Sequence, residues 1–178
     1  MEQLSNIESI YVQNATMEHR KQYAQFFTPL AIAQLMADWL LGNDKMETVL
    51  EPAFGLGVFS RILLSIKSNL LIKGFDIDEI ILNEAKKHFE GYKSVTLMLQ
   101  DYMFNDWNNK YDGIICNPPY FKFHDYDNKS VISEIERKLS CKLNGFTNLY
   151  TLFLLKSIHQ LKNNGRCAYI VPSEFMNS

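Results

Sequence analysis

The sequence lacks the features that mark several large classes of protein. Its three cysteines and four histidines stand far apart along 178 residues, so neither a disulfide framework nor a metal site is expected. The formal net charge is −2, which is unlike a free-standing nucleic-acid-binding domain. No apolar run is long enough to span a membrane, and the first residues do not resemble a signal peptide. We therefore expect one cytoplasmic domain with a sizeable core.

Helical and strand-like patterns alternate along the chain, which is typical of a parallel sheet covered by helices. The predicted strands are Thr48–Leu50, Leu70–Phe75, Val95–Leu99, Tyr111–Cys116 and Arg166–Val171. The predicted helices are Thr28–Leu41, Val58–Ile66, Asp78–Phe89, one near Val131–Leu143, and Thr147–Leu161. In the first of these, Thr28 would cap the helix and Pro29 would fit its first turn. In the last helix, Leu149, Leu152, Phe153, Ile158 and Leu161 would point inward, and Asn163-Asn164-Gly165 would end it.

The most informative feature is the string Asn117-Pro118-Pro119-Tyr120, which follows the predicted fourth strand. An amide, two prolines and an aromatic ring at the exit of a strand are suited to holding a planar amino group. The alternative is a proline turn that carries a surface tyrosine.

Acidic residues and glycines follow the first three predicted strands. Glu51-Pro52-Ala53-Phe54-Gly55-Leu56-Gly57 allows a tight turn and close approach to a ligand, although a turn of purely structural purpose has the same form. Asp76 stands where nucleotide-binding sheets place a ribose-binding carboxylate, and Ile77 could pack on a purine. The alternative role for Asp76 is capping the next helix, for which Asp78 is the better candidate. With Asp101 and Tyr102 after the third strand, these residues predict a site for an adenosine-bearing cofactor.

These motifs, in this order, resemble those of S-adenosylmethionine-dependent adenine-specific DNA methyltransferases. The resemblance is to the type II modification methylases whose cofactor motifs begin at the N-terminus, and Gln25–Pro29 matches their first motif. Asn148–Tyr150 and Ile170–Ser173 match the two motifs after the catalytic one. The resemblance implies a Rossmann-like sheet in the strand order 3-2-1-4-5. The implied catalytic residues are Asn117, Pro118, Pro119 and Tyr120. The implied cofactor-binding residues are Phe26, Thr28, Pro29, Glu51, Ala53, Gly55, Gly57, Asp76, Ile77, Asp101, Tyr102, Asn117 and Pro119.

The family mechanism assigns a role to each part of the catalytic string. The Asn117 side-chain oxygen and the Pro118 carbonyl would each accept an N–H of the adenine amine. Tyr120 would stack on a base turned out of double-stranded DNA. Residues 1–27 would line the cofactor site, and residues 28–178 would form the catalytic domain.

Members of this family continue well beyond the sixth motif, where this chain stops. Two further strands, a second stacking aromatic residue and a target-recognition domain would be missing. The resemblance therefore implies a truncated protein or one half of a split enzyme, which contacts DNA mostly through absent regions. Its fifth strand would be an exposed edge that recruits a partner or a second copy. The alternatives are a cofactor-binding fragment or subunit that is inactive without a partner, or a methyltransferase acting on RNA adenine or protein glutamine.

Overall fold

In the described part of the chain, five parallel strands form one sheet in the order β3-β2-β1-β4-β5, so the predicted order is confirmed. The computed structural model describes residues 4–120, 128–144 and 147–173. The strands are β1 (Thr48–Glu51), β2 (Leu71–Asp76), β3 (Val95–Leu99), β4 (Tyr111–Cys116) and β5 (Leu161–Tyr169). The helices are α1 (Asn6–Asn14), α2 (Met17–Gln22), α3 (Leu30–Leu41), α4 (Val58–Ile66), α5 (Glu79–Phe89), α6 (Asn128–Leu139) and α7 (Leu149–Gln160). Within these ranges, no helix is both long and apolar enough to cross a membrane.

Both faces of the sheet are buried, because successive side chains of a strand point to opposite sides. In β1, Val49 packs into a cluster with α3, α4 and α5, whereas Leu50 packs into a cluster with α6 and α7. In β4, Ile115 belongs to the first cluster and Ile114 to the second. The apolar strand patterns follow from this arrangement.

Two helices that the sequence patterns did not predict, α1 and α2, precede the first motif. Ser5 and Thr16 cap them, with side-chain oxygens that accept the backbone N–H of Glu8 and His19. Tyr11 of α1 packs with Leu56 and Ile81, which lie beyond β1 and in α5. The N-terminal segment, residues 4–29, therefore packs against the loop that follows β1 and against α5.

The prediction for α3 was wrong at its start. The helix begins at Leu30 with Pro29 at the N-cap position, and Thr28 provides no cap because its hydroxyl binds another side chain, that of Asn117. Leu35 and Trp39 of this helix are 66% and 57% exposed. The buried residues of α3 are Ala33, Met36, Ala37 and Leu40.

The prediction for the end of α7 was also wrong. The helix ends at Gln160 and β5 begins at once, so Asn163-Asn164-Gly165 lies inside the strand. Between the pairs Tyr111–Leu161 and Gly113–Arg166 the register shifts, and Asn164 has a φ of 62°. The three residues therefore form an irregular bulge rather than a helix stop. Ile158, expected to point inward, is 55% exposed.

The fifth strand lies at an edge of the sheet, as predicted, and β3 forms the other edge. In the part of the chain that the structure describes, β5 pairs only with β4. The expectation that this edge recruits a partner stays a prediction.

Candidate active site

A cavity opens at the carboxyl ends of β1 to β4, where the chain order of the strands reverses between β1 and β4. Such a crevice is the usual ligand site of an open parallel sheet. The predicted residues that line it are Phe26, Thr28, Glu51, Ala53, Gly55, Asp76, Ile77, Asp101, Tyr102, Asn117, Pro118 and Pro119. Three predicted residues, Pro29, Gly57 and Tyr120, are not in its lining.

Gly57 shapes the loop from behind. It has a φ of 71° and stands at the N-cap position of α4, a backbone conformation that side chains other than hydrogen disfavour. A Cβ atom at this position would lie 2.5 Å from the Phe54 ring and 2.7 Å from the Phe89 ring. Gly55, with a φ of 53°, faces open space instead, and only Ile81 lies within 4 Å of the position of a Cβ.

Glu51 is a buried acid at the end of β1. Its side chain is 1% exposed, and Oε2 accepts a hydrogen bond from the Ser60 hydroxyl. Oε1 has no hydrogen-bond partner among the described residues. Burial raises the pKa of this carboxyl to about 8, against the lowering effects of Ser60 and the Arg61 charge. At neutral pH the free cavity therefore holds a mostly protonated Glu51 with one unused oxygen.

Asp76 is fixed at the end of β2 by backbone N–H groups. Gly55 donates to Oδ2 at 2.8 Å and Asp78 donates to Oδ1 at 2.9 Å. Burial raises the pKa of Asp76 to about 6, and these backbone donors act in the opposite direction. Ile77 beside it is 44% exposed and lines the cavity. Asp78 caps α5 by accepting from the Ile80 N–H, which confirms its predicted role.

The hydroxyl of Tyr102 is not positioned to contact a cofactor directly. The residue is 1% exposed, and its hydroxyl donates to Gln160 Oε1 at 2.6 Å and lies 3.1 Å from Ser157 Oγ. Burial raises the pKa of Tyr102 well above its usual value. The ring therefore forms part of the floor of the cavity, and the adjacent Asp101 caps the short 3-10 helix Tyr102–Phe104.

A buried lysine that the sequence analysis missed supports this floor. Lys156 of α7 is fully buried and donates to the carbonyl oxygens of Tyr102 and Asn105. Its ammonium lies 4.0 Å from the centroid of the Tyr102 ring and 4.5 Å from that of Trp107. Desolvation lowers the pKa of Lys156 to about 7. In the sequence it is the single Lys, Arg, Asp or Glu of α7, and that was the available signal.

Asn117 leaves β4 and is held by the N-terminal segment. Its Nδ2 donates to the Phe26 carbonyl at 2.8 Å and to Thr28 Oγ1 at 3.1 Å. Its Oδ1 accepts from the Tyr120 hydroxyl at 3.0 Å. The structure thus brings Asn117 together with the predicted first motif.

Tyr120 lies beside the cavity with its ring between two others. The ring centroids of Phe26 and Tyr150 are 5.9 Å and 6.3 Å away. Its hydroxyl is also 3.2 Å from the Ile170 carbonyl. Burial raises the pKa of Tyr120 to about 12, so the hydroxyl keeps its proton at neutral pH.

Sequence reasoning missed how the segment before Gln25 closes the cavity. Glu8 and Tyr23 line it, and buried Glu8 forms an ion pair with Arg61 at 2.6 Å. Asp78 accepts from Gln25 Nε2 at 2.5 Å and lies 2.7 Å from His19 Nε2. The spacing of Ser5 and Glu8 is that of a capping box, and this signal could have revealed α1.

The sequence and structure are similar to those of known methyltransferases. The sequence model of the Eco57I restriction-modification methylase family matches residues 54–178. The type II methyltransferase M.AccI of Acinetobacter calcoaceticus is 66% identical over 174 residues, which is 98% of this chain and 32% of that protein. The chain therefore spans about a third of the length of this relative.

Two solved structures share the fold. The methyltransferase subunit of a type I restriction-modification system from Streptococcus thermophilus has a TM-score of 0.72 and 23% identity, over 84% of this chain and 35% of that one. A class I S-adenosylmethionine-dependent methyltransferase from Listeria monocytogenes, described as putative, has a TM-score of 0.68 and 17% identity, over 97% and 52%. The expected Rossmann-like methyltransferase fold is thereby confirmed.

Proposed function

This chain belongs to the Eco57I restriction-modification methylase family, and we propose that it transfers a methyl group from S-adenosylmethionine to the exocyclic amino group of adenine in double-stranded DNA. The observation that carries the proposal is the position of Asn117-Pro118-Pro119 on the same cavity as Glu51, Asp76 and Asp101. One cavity thus combines a group suited to a planar amine with acids suited to an adenosine-bearing molecule.

The residues of the cavity fit this cofactor. The unused Oε1 of Glu51, in an apolar setting, suits a cationic group of the ligand, which would also favour the ionised acid. Asp76 lines the cavity, and its carboxylate oxygens, which each accept one backbone N–H, would also accept from ribose hydroxyls. Exposed Ile77 would pack on the adenine ring. When bound, S-adenosylmethionine supplies an electrophilic methyl group on its sulfonium sulfur.

Asn117 would orient the amine that receives the methyl group. Its Oδ1 would accept one N–H of the adenine amine in the place where it now accepts the Tyr120 hydroxyl. The Pro118 carbonyl would accept the second N–H, and proline keeps the loop from becoming helical. An amide side chain does not act as a base at neutral pH, so the contribution of Asn117 is orientation and stabilisation of developing charge.

Tyr120 would stack on the target base after the base leaves the duplex. The ring already lies next to Phe26, which is 66% exposed at the rim of the cavity.

The proposal is tested with S-adenosylmethionine that carries an isotopically labelled methyl group. Unmethylated double-stranded DNA, RNA and protein are incubated in parallel, and the products are digested and identified by mass spectrometry. Labelled N6-methyldeoxyadenosine is the expected product. Label in RNA adenine or in protein glutamine would replace the DNA substrate with one of the two alternatives. Cofactor binding without any transfer would favour a subunit that is inactive without a partner.

A further inference from the structure

The side-chain amide of Asn117 is hydrogen-bonded on both sides within the protein. Both hydrogens of Nδ2 point to acceptors of the N-terminal segment, the Phe26 carbonyl at 2.8 Å and Thr28 Oγ1 at 3.1 Å. On the other side, Oδ1 accepts from Tyr120. An asparagine presents an acceptor on one side and donors on the other, and the neighbours decide which side is which.

The alternative orientation of this amide is excluded by the Phe26 carbonyl. If the side chain turned over, Oδ1 would face that carbonyl oxygen at about hydrogen-bond distance, and two acceptors would oppose each other. Tyr120 would tolerate either orientation, because a hydroxyl both donates and accepts. Thr28 binds the second hydrogen of Nδ2, so the amide cannot swing out of plane without leaving a polar group unpaired.

The N-terminal segment that provides these acceptors is itself firmly attached. His19 and Gln25 bind Asp78, and Glu8 pairs with Arg61 of α4. Thr28 is 3% exposed, so its hydroxyl is shielded from competing water. The acceptors thus stand at fixed positions relative to β2 and α4.

We propose that Thr28, together with the Phe26 carbonyl, is a positioning residue for the Asn117 amide. It holds the amide oxygen directed away from the N-terminal segment, where the oxygen can accept a substrate N–H in place of the Tyr120 hydroxyl. In this account the first motif contributes to the chemical step as well as to lining the cofactor cavity. The catalytic meaning rests on the proposed function, whereas the orientation of the amide does not.

The orientation is tested first, by NMR, without any activity. The side-chain amide signals of Asn117 in the ¹⁵N-labelled chain are assigned by their loss in Asn117→Asp. Thr28→Val removes one acceptor while keeping the shape of the side chain, so at least one of the two amide protons should shift and exchange faster with solvent. Thr28→Ser should restore the wild-type signals, and Thr96→Val, at an exposed position of β3, should leave them unchanged. Wild-type signals in Thr28→Val would overturn the proposal.

The kinetic test separates positioning from cofactor binding. Thr28→Val should lower kcat for methyl transfer about 10-fold, since small errors of alignment slow a chemical step strongly. Its affinity for S-adenosylmethionine should stay within about 3-fold of wild type, and Thr28→Ser should recover most of kcat. A weaker affinity with unchanged kcat would make Thr28 a cofactor ligand and overturn the proposal. If the wild-type chain transfers no methyl group to adenine, the proposed function fails, and the NMR result still decides the role of Thr28.

Discussion

The cavity has two halves, one around Asp76 at the end of β2 and one around Asn117 after β4. These two polar residues are held in different ways. Asp76 accepts backbone N–H groups from Gly55 and Asp78, which lie 21 and 2 positions away in the chain. Asn117 depends on Phe26 and Thr28, which lie 91 and 89 positions away. The half around Asp76 is thus built locally from the strand ends, whereas the half around Asn117 is completed by a distant segment.

The largest expected effect comes from a change in the half around Asn117 alone. Asn117→Ala should lower methyl transfer by about 1000-fold or more, because an orienting acceptor for the amine is lost. Affinity for S-adenosylmethionine should stay within a few-fold, as the residues around Asp76 remain in place. Transfer is measured under saturating cofactor, and affinity by equilibrium dialysis. A loss of cofactor affinity that matches the loss of transfer would assign Asn117 to cofactor binding instead.

A second large effect concerns the charge of Glu51, which lies between the two halves. Its folded pKa of about 8 exceeds its ordinary value of 4.5, so the folded state holds the proton more tightly than the unfolded state. Stability from the protonated acid is therefore fully present at low pH and is lost as pH rises from about 4.5 to about 8. The loss is a few kcal/mol, because one pKa unit corresponds to about 1.4 kcal/mol.

Glu51→Gln removes this titration. The comparison of the variant with wild type therefore isolates the contribution of Glu51 from those of other groups. The raised pKa of Asp76 likewise contributes stability to the protein, and this contribution is lost as the pH rises to about 6. The pKa of Lys156 is lowered to about 7, so this residue makes the protein more stable as the pH rises above that value. Both cancel in the difference between wild type and variant. The difference in free energy of unfolding, measured by urea denaturation at several pH values, should change in favour of the variant towards pH 8. A difference independent of pH would contradict a protonated Glu51.

A smaller effect breaks the first half. Asp76→Ala should weaken binding of S-adenosylmethionine by about 10- to 100-fold, as expected for the loss of hydrogen bonds to a charged acceptor. Asp38→Ala, which removes an exposed carboxylate of α3, is the matched control and should bind as wild type does. Equal affinity in Asp76→Ala and Asp38→Ala would rule out Asp76 as a cofactor ligand.

The smallest effect sharpens the assignment of Tyr102. Tyr102→Phe removes a hydroxyl that binds Gln160 and Ser157 in the interior, so stability should fall by about 1 to 2 kcal/mol. Cofactor affinity should stay as in wild type, because the hydroxyl is turned away from the cavity. Thermal unfolding and equilibrium dialysis measure the two quantities. Weaker cofactor binding with unchanged stability would contradict this role of the hydroxyl.

The half around Asp76 was largely predictable from the sequence because its parts are local. A glycine-containing loop and an acid at a strand end have few alternative geometries, and β3, β4 and α4 were predicted with the bounds that the structure shows. The strand order followed from the family resemblance, and the nearly continuous burial along β1 and β4 agrees with burial of the sheet on both faces.

The contacts of Asn117 could not be predicted, because no local pattern reports a partner about 90 positions away. The same holds for Glu8, whose burial depends on Arg61, and for Lys156, whose charge is buried against two carbonyl groups. At the end of α7, helical periodicity ran on into a strand because Leu161 fits both patterns. Tertiary packing decided each of these cases.

The most direct measurement of the central claim is a calorimetric titration of S-adenosylmethionine into the wild-type chain. The account predicts one site per chain with a dissociation constant on the order of micromolar, since the acids at the ends of β1, β2 and β3 already line one cavity. Absence of binding at millimolar cofactor would contradict it, because the cavity would then not be the cofactor site that the arrangement of Glu51, Asp76 and Asp101 indicates.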